Sequence, residues 1–286
     1  NTVGFDESLA FSGRGAEKNN FLMNLFLQNE EEDKRLPELY KLNPKAFEKE
    51  ISHSKKALLR ELDEFIISEK PSESFIHIAL SNINYNYYSR KELYLSSKKV
   101  ASSHKQILYP EHFFTYRDSV VLNDNTLKNY YTYYQFINRY LDNLADDGHK
   151  KQKTFFNKTS YEHQTQKLRL IDSLITNKQL HDNLLHNTVK RYLVHADDSQ
   201  KEHDLVALFK KLDHNEAHQK EVERYAHNTA KINAGELIPN LALITANNEI
   251  TSLQKINASK TVFFFWNSKS VKHYKEIHVR IADLKT

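Results

Sequence analysis

The sequence predicts a mainly α-helical N-terminal domain followed by a smaller α/β domain, and three observations carry that expectation. Only five glycines and five prolines occur in 286 residues, so most of the length is free for helices. Apolar residues recur three and four apart in one stretch after another up to about residue 230. Beyond Ile232 the pattern switches to short apolar runs, "LIPNLALIT", "EITSL" and "KTVFFFW", which read as strands.

Residues 1–15 hold three of the five glycines and read as an irregular arm before a helix starting at about Ala16. Asn43-Pro44 marks a helix start with proline at its first position, and Phe47, Ile51, Leu58, Leu62, Phe65 and Ile66 continue it at helical spacing. Pro71 ends that helix, and Phe75, Ile78, Ala79, Ile83, Tyr87, Leu93 and Leu95 form the apolar face of the next. From His104 to Asn125 the periodicity weakens around Pro110, which predicts a long connection holding a short helix. After Thr126 a helix is expected with Leu127, Tyr130, Tyr131, Tyr134, Ile137, Leu141 and Leu144 inward and Tyr133 off that face. Four further helices are predicted at about 160–176, 179–196, 200–212 and 215–232, with breaks at Asn177, Asp197-Asp198 and Asp213. No fixed repeat period runs through them, so the reading is an irregular helical domain over 16–232 and a second domain over 233–286.

Composition excludes several function classes. The charge of +4 arises from 41 basic and 37 acidic residues interleaved along the chain, the pattern of ion-paired helix faces rather than of a nucleic-acid-binding surface. With no cysteine there is no disulfide, no thiolate-bound metal and no thiol nucleophile in these residues. No apolar run approaches the roughly 20 residues of a membrane span. The chain opens on Asn1 rather than Met and ends on "RIADLKT" in a helical pattern, so a processed start and a truncated end are expected.

Among fifteen histidines the most ligand-like spacing is His214 with His218, followed by Glu221. "HNEAH" sets its Glu216 off the shared face, unlike the zinc-protease pattern, and the expectation is a solvated helix surface with no metal. The stretch "NYYTYYQF" is read as a half-buried helix seam rather than as a stacking platform for a ligand. No cofactor is implied by any motif.

"AGELIPNLALITANNEITSLQKINASKTVFFFWNSKSVKHYKEI" resembles the opening half of the envelope thiol-disulfide oxidoreductases of the TlpA and ResA type, which are thioredoxin-fold proteins. Gly235 and Pro239 precede a short strand, Lys260 precedes an apolar strand closed by Phe265-Trp266, and Lys275-Glu276 stand in the helix after it. Independently of the resemblance, a continuous apolar run leading straight into a helix is what a buried parallel strand and its crossover require, with Ser268 or Ser270 as N-cap.

The resemblance covers about 50 residues and places Ser270 and His273 where that family carries its two cysteines, with Lys269 replacing a second tryptophan. It therefore implies an α/β thioredoxin-like second domain, partial in this chain, with a degenerate active site at Trp266, Ser270 and His273. Disulfide exchange needs a thiolate, which neither serine nor histidine supplies, and nothing marks an oxyanion hole for a Ser270/His273 acyl-transfer pair. The implied function is a redox-inactive binding or scaffolding protein of the bacterial envelope or periplasm with protein partners. The alternatives are a thiol-disulfide oxidoreductase whose functional cysteines lie outside these residues, and an adaptor in which residues 16–232 alone bind the partner.

Overall fold

The computed structural model describes residues 9–101, 107–149, 157–196, 198–230, 240–245, 247–255, 261, 275–277 and 280–281. The chain forms two compact units, Asn1–Ala234 and Gly235–Thr286.

The described part of the first unit is helical. It contains α1 (Ala16–Leu39), α2 (Pro44–Glu69), α3 (Glu73–Ala101), a 3₁₀ helix (Glu111–Ser119), α4 (Tyr131–His149), α5 (Tyr161–Leu174), α6 (Lys178–Leu193), α7 (Ser199–Leu212) and α8 (Glu216–Ala230). Short polar side chains set the boundaries. Asn43 accepts a hydrogen bond from Ala46 N at 2.9 Å ahead of Pro44, Ser160 from His163 N at 3.2 Å, and Asn177 from Leu180 N at 3.2 Å. Asp198 accepts from the amides of Gln200 and Lys201 at 2.9 and 3.0 Å, and Asn215 from Ala217 N at 3.0 Å. Ahead of α1, Gly13 and Gly15 take φ of 85° and 82°, a left-handed conformation open to glycine at little steric cost.

Each helix packs on the one after it, and α6 also packs on α8, α5 on α7 and α1 on α3. Three apolar clusters result. The largest joins Phe136, Ile137 and Leu141 of α4 to Leu168 and Ile171 of α5, Leu184, Leu185 and Val189 of α6, Leu205 and Phe209 of α7 and Val222 of α8. A second sets Phe47 against Tyr94, with rings stacked at 4.0 Å, and against Phe113; the third packs Leu25 of α1 on Leu58, Leu62, Phe75 and Ile83. The central helix is α3, whose C-terminal half is buried around most of its circumference.

One expectation fails in detail. The seam helix starts at Tyr131, because the side chain of Asp124 accepts from the amides of Thr126 and Leu127 and holds the segment before it in turns. Tyr130 and Tyr131, expected inward, are 39% and 72% exposed, and Tyr133, expected off the face, is 1% exposed. The physical reason is that α4 lies between α3 and α5 and buries two faces. Ile137 and Leu141 belong to one, while the Tyr133 and Phe136 rings lie 5.0 and 5.2 Å from that of Tyr85 on α3.

In the second unit, β1 (Ala242–Ile244) pairs antiparallel with β2 (Ile250–Ser252), Leu243 lying opposite Thr251. Thr245 closes the turn by accepting from Asn247 N and Glu249 N through its hydroxyl, with Asn248 at φ 62°. The expected third strand, residues 262–266, lies outside the described residues. Helical backbone is present at Lys275, Glu276 and Ile277, and the Ile277 side chain is buried. Among the described residues no helix is long and apolar enough to cross a membrane.

Candidate functional site

Trp266, Ser270 and His273, the positions that the sequence resemblance singles out, lie outside the described residues. What the structure does describe is where the charged and aromatic residues of the helical unit converge.

His214 precedes α8 and is exposed, while His218 lies on that helix and turns inward, so the two do not share a helix face. Instead His218 Nδ1 donates to the carboxylate of the buried Asp213 at 2.9 Å, and its ring stacks on His186 of α6, ring centroids 4.3 Å apart and planes within 9°. His186 Nε2 is 3.3 Å from Glu221 Oε2, whose other oxygen accepts from Lys190 at 2.6 Å. Burial lowers the His186 pKa, and His218 and Lys190 push the same way against Glu221 and Asp213. Among the described residues no group of three or more histidine, aspartate or glutamate side chains is arranged to hold a metal ion. The spacing reading found His218 and Glu221 but missed their link to His186 across two helices, which no local pattern encodes.

The more extensive constellation is ionic and runs through the centre of the unit. On α3, the four successive polar residues Ser89, Arg90, Lys91 and Glu92 are all buried. Lys91 pairs with Glu48 of α2 at 2.9 Å, and its ammonium sits 4.4 and 4.8 Å from the ring centres of Phe113 and Tyr116. Glu92 accepts from Arg117 at 2.8 Å, from the Tyr116 hydroxyl at 2.5 Å and from Asn143 at 2.6 Å, so its carboxylate is bound on every side. Burial, reinforced by the Glu92 charge, raises the Tyr116 pKa, and this phenol remains a donor.

A second carboxylate, Asp142 of α4, is reached from two neighbouring helices. Lys167 of α5 lies 2.5 Å from its Oδ1, His163 3.5 Å from the same oxygen, and Arg191 of α6 3.4 Å from Oδ2. Lys167, fully buried, also donates to Asn138 through both its side-chain oxygen at 2.7 Å and its carbonyl at 3.2 Å. Burial alone would raise the Asp142 pKa, but the Lys167 charge, the His163 hydrogen bond and Lys158 more than reverse it. Burial pulls Lys167 down, against the raising effect of Asp142. Chemically these clusters bind α3 to α2 and α4, and α4 to α5 and α6; their groups are committed to one another.

A sequence signal for them exists in part. Arg90, Lys91 and Glu92 lie between Tyr85 and Tyr94-Leu95, so a helix apolar before and after them carries them into the interior. Their partners Glu48, Arg117 and Asn143 are 25 or more residues away, apart from any periodicity.

No protein-family model, no curated protein and no solved structure matches the chain.

Proposed function

We propose that the protein is a redox-inactive, thioredoxin-like component of the bacterial envelope that binds and scaffolds protein partners, with the helical unit as the platform. What carries the reading is the sequence resemblance, which would set Ser270 and His273 at the two positions where that family has its thiols, in a sequence with no cysteine. Supporting it is the way the helical unit uses its charges. Lys91 with Glu48, Arg117 with Glu92 and Lys167 with Asp142 tie successive helices together, which gives a stiff body with its reactive groups already bound.

Affinity purification of the tagged protein from native envelope, followed by mass spectrometry, tests the binding role. A reproducible stoichiometric protein partner retained by residues 1–286 is the expected outcome. Turnover in an insulin-reduction assay, or cysteines in an adjoining segment that restore it, would overturn the reading in favour of an oxidoreductase. Retention of the same partner by residues 16–232 alone would assign binding wholly to the helical unit.

A further inference from the structure

Lys55 of α2 stands outside the committed groups. Among the described residues no carboxylate pairs with it, and the positions three and four away on its own helix, Ile51, Ser52, Leu58 and Leu59, carry no charge. Its ammonium lies instead against aromatic rings of α3, 4.6 Å from the ring centre of Tyr87 and 5.3 Å from that of Tyr88. The ammonium of Lys91 approaches the same Tyr87 ring at 5.2 Å, so two like charges share one ring.

The carboxylate of this cluster, Glu48, is already engaged. It pairs with Lys91 at 2.9 Å and accepts from the Ser52 hydroxyl at 3.3 Å and from the Tyr87 hydroxyl. Lys55 is therefore stripped of water on its ring side, next to a second cation and without a carboxylate of its own. Desolvation and a neighbouring cation are the conditions that make a lysine amine a nucleophile. Burial, and after it the Lys91 charge, hold the Lys55 pKa below the ordinary lysine value against the pull of Glu48. The Lys91 side chain is 2% exposed, whereas Lys55 is only half-buried and keeps a side open to solvent.

We propose that Lys55 is an acylation site that takes acyl groups from small acyl phosphates. The unprotonated amine attacks the carbonyl carbon, the bond from that carbon to the bridging phosphate oxygen breaks, and the phosphate leaves with the electron pair. The nitrogen's proton passes to the departing phosphate as the amide forms. Two ammoniums at one ring favour an anionic donor over a neutral one. The amide carries no charge, so the modification ends the repulsion between Lys55 and Lys91 and leaves the pair of Lys91 with Glu48 in place. The site goes beyond the scaffold reading above and depends on no residue of the second unit.

The test exposes the full chain to acetyl phosphate in the presence of free N-acetyl-lysinamide, with acetylation followed lysine by lysine by mass spectrometry from neutral to alkaline pH. At neutral pH Lys55 should react severalfold faster than Lys45 and Lys49, which are exposed on the same helix, and it should reach half its limiting rate at a lower pH than the free amide. Lys91→Gln removes the second cation and releases Glu48 to pair with Lys55, so in that variant the Lys55 rate at neutral pH should fall to that of Lys45 and Lys49. Far-UV circular dichroism checks that the variant is folded, and the pH profile of the parent decides the matter where it is not. A Lys55 that reacts no faster than Lys45 and Lys49, or whose half-point matches or exceeds that of the free amide, would overturn the site. So would a folded Lys91→Gln protein in which Lys55 reacts as it does in the parent.

Discussion

Asp142 and Lys167 illustrate how much a single pair is asked to do inside a helical protein. Both are buried, and Lys167 has a second acceptor in Asn138, so the pair is satisfied as it stands. Asp142→Asn leaves the buried charge of Lys167 without its carboxylate and should lower stability by about 3–5 kcal/mol in urea unfolding. The paired replacement Asp142→Leu with Lys167→Met should recover only part of that loss, because Arg191 and Lys158 lose the same carboxylate. The stacked imidazoles give a prediction of pH dependence. His186 faces Lys190 on its own helix, His218 and Glu221 on α8, and Asp213 ahead of α8, and burial holds its pKa below the ordinary value. An unfolded chain takes up that proton near pH 6.5 while the folded one resists, so stability should fall as the pH drops through about 6.5 and level off below the folded value. Thermal midpoints from pH 7.5 to 5 should show this decline in the parent and a smaller one in His186→Phe.

At the scale of elements, the sequence legibly marked where helices begin. Asn43-Pro44, Asn177 and Asp198 each cap a helix at or beside the predicted break, because capping is a local interaction between a side chain and amides two or three residues on. The inward faces were less legible. Periodicity assigns one apolar face per helix, and α4 has two because helices pack on both sides of it. Tyr133→Ala should therefore cost about 3 kcal/mol, since its ring fills the contact with Tyr85 and its hydroxyl donates to Val121 O at 2.7 Å. Tyr131→Ala should change stability by no more than about 0.5 kcal/mol. Reversal of that order in chemical denaturation would mean that α4 is packed the way the single-face reading has it. The ionic cluster on α3 was illegible for another reason: burial of Lys91 and Glu92 depends on partners from α2 and the 3₁₀ helix that only the assembled bundle brings near.

The molecule as a whole is rich in tyrosine, with 16 in the chain, and many of them are placed in seams. Burial raises the pKa of Tyr40, Tyr87, Tyr94, Tyr116 and Tyr133. Their phenols ionise in the unfolded chain from about pH 10 but stay protonated in the folded one, so stability contributed below that pH is lost as the pH rises further. Lys91 and Lys167, which are buried, and the half-buried Lys55 act oppositely: their pKa values are lowered, and their gain with rising pH levels off above about pH 10.4, as unfolded lysines lose their protons. Beyond it only the tyrosine contribution is left, and helical circular dichroism should collapse together with the appearance of phenolate absorbance at about pH 11 to 12. Independent, gradual phenolate titration with the helices intact would contradict it. At this scale the order of helical and extended segments was legible from where the apolar spacing changes, since α8 ends at Ala230 and the first strand begins at Ala242.

The enclosure of Lys91 and Lys167 has a consequence for covalent footprinting. Amine-reactive reagents reach an ammonium only through solvent, and these two are sealed by aromatic rings and by neighbouring helices, whereas Lys34 and Lys178 stand open on the surface. Surface lysines acquire label at the rate set by the reagent, and the sealed pair acquires it only in molecules whose helices have parted. Those two amines are thus built-in clocks for the opening of the bundle, readable peptide by peptide in a digest.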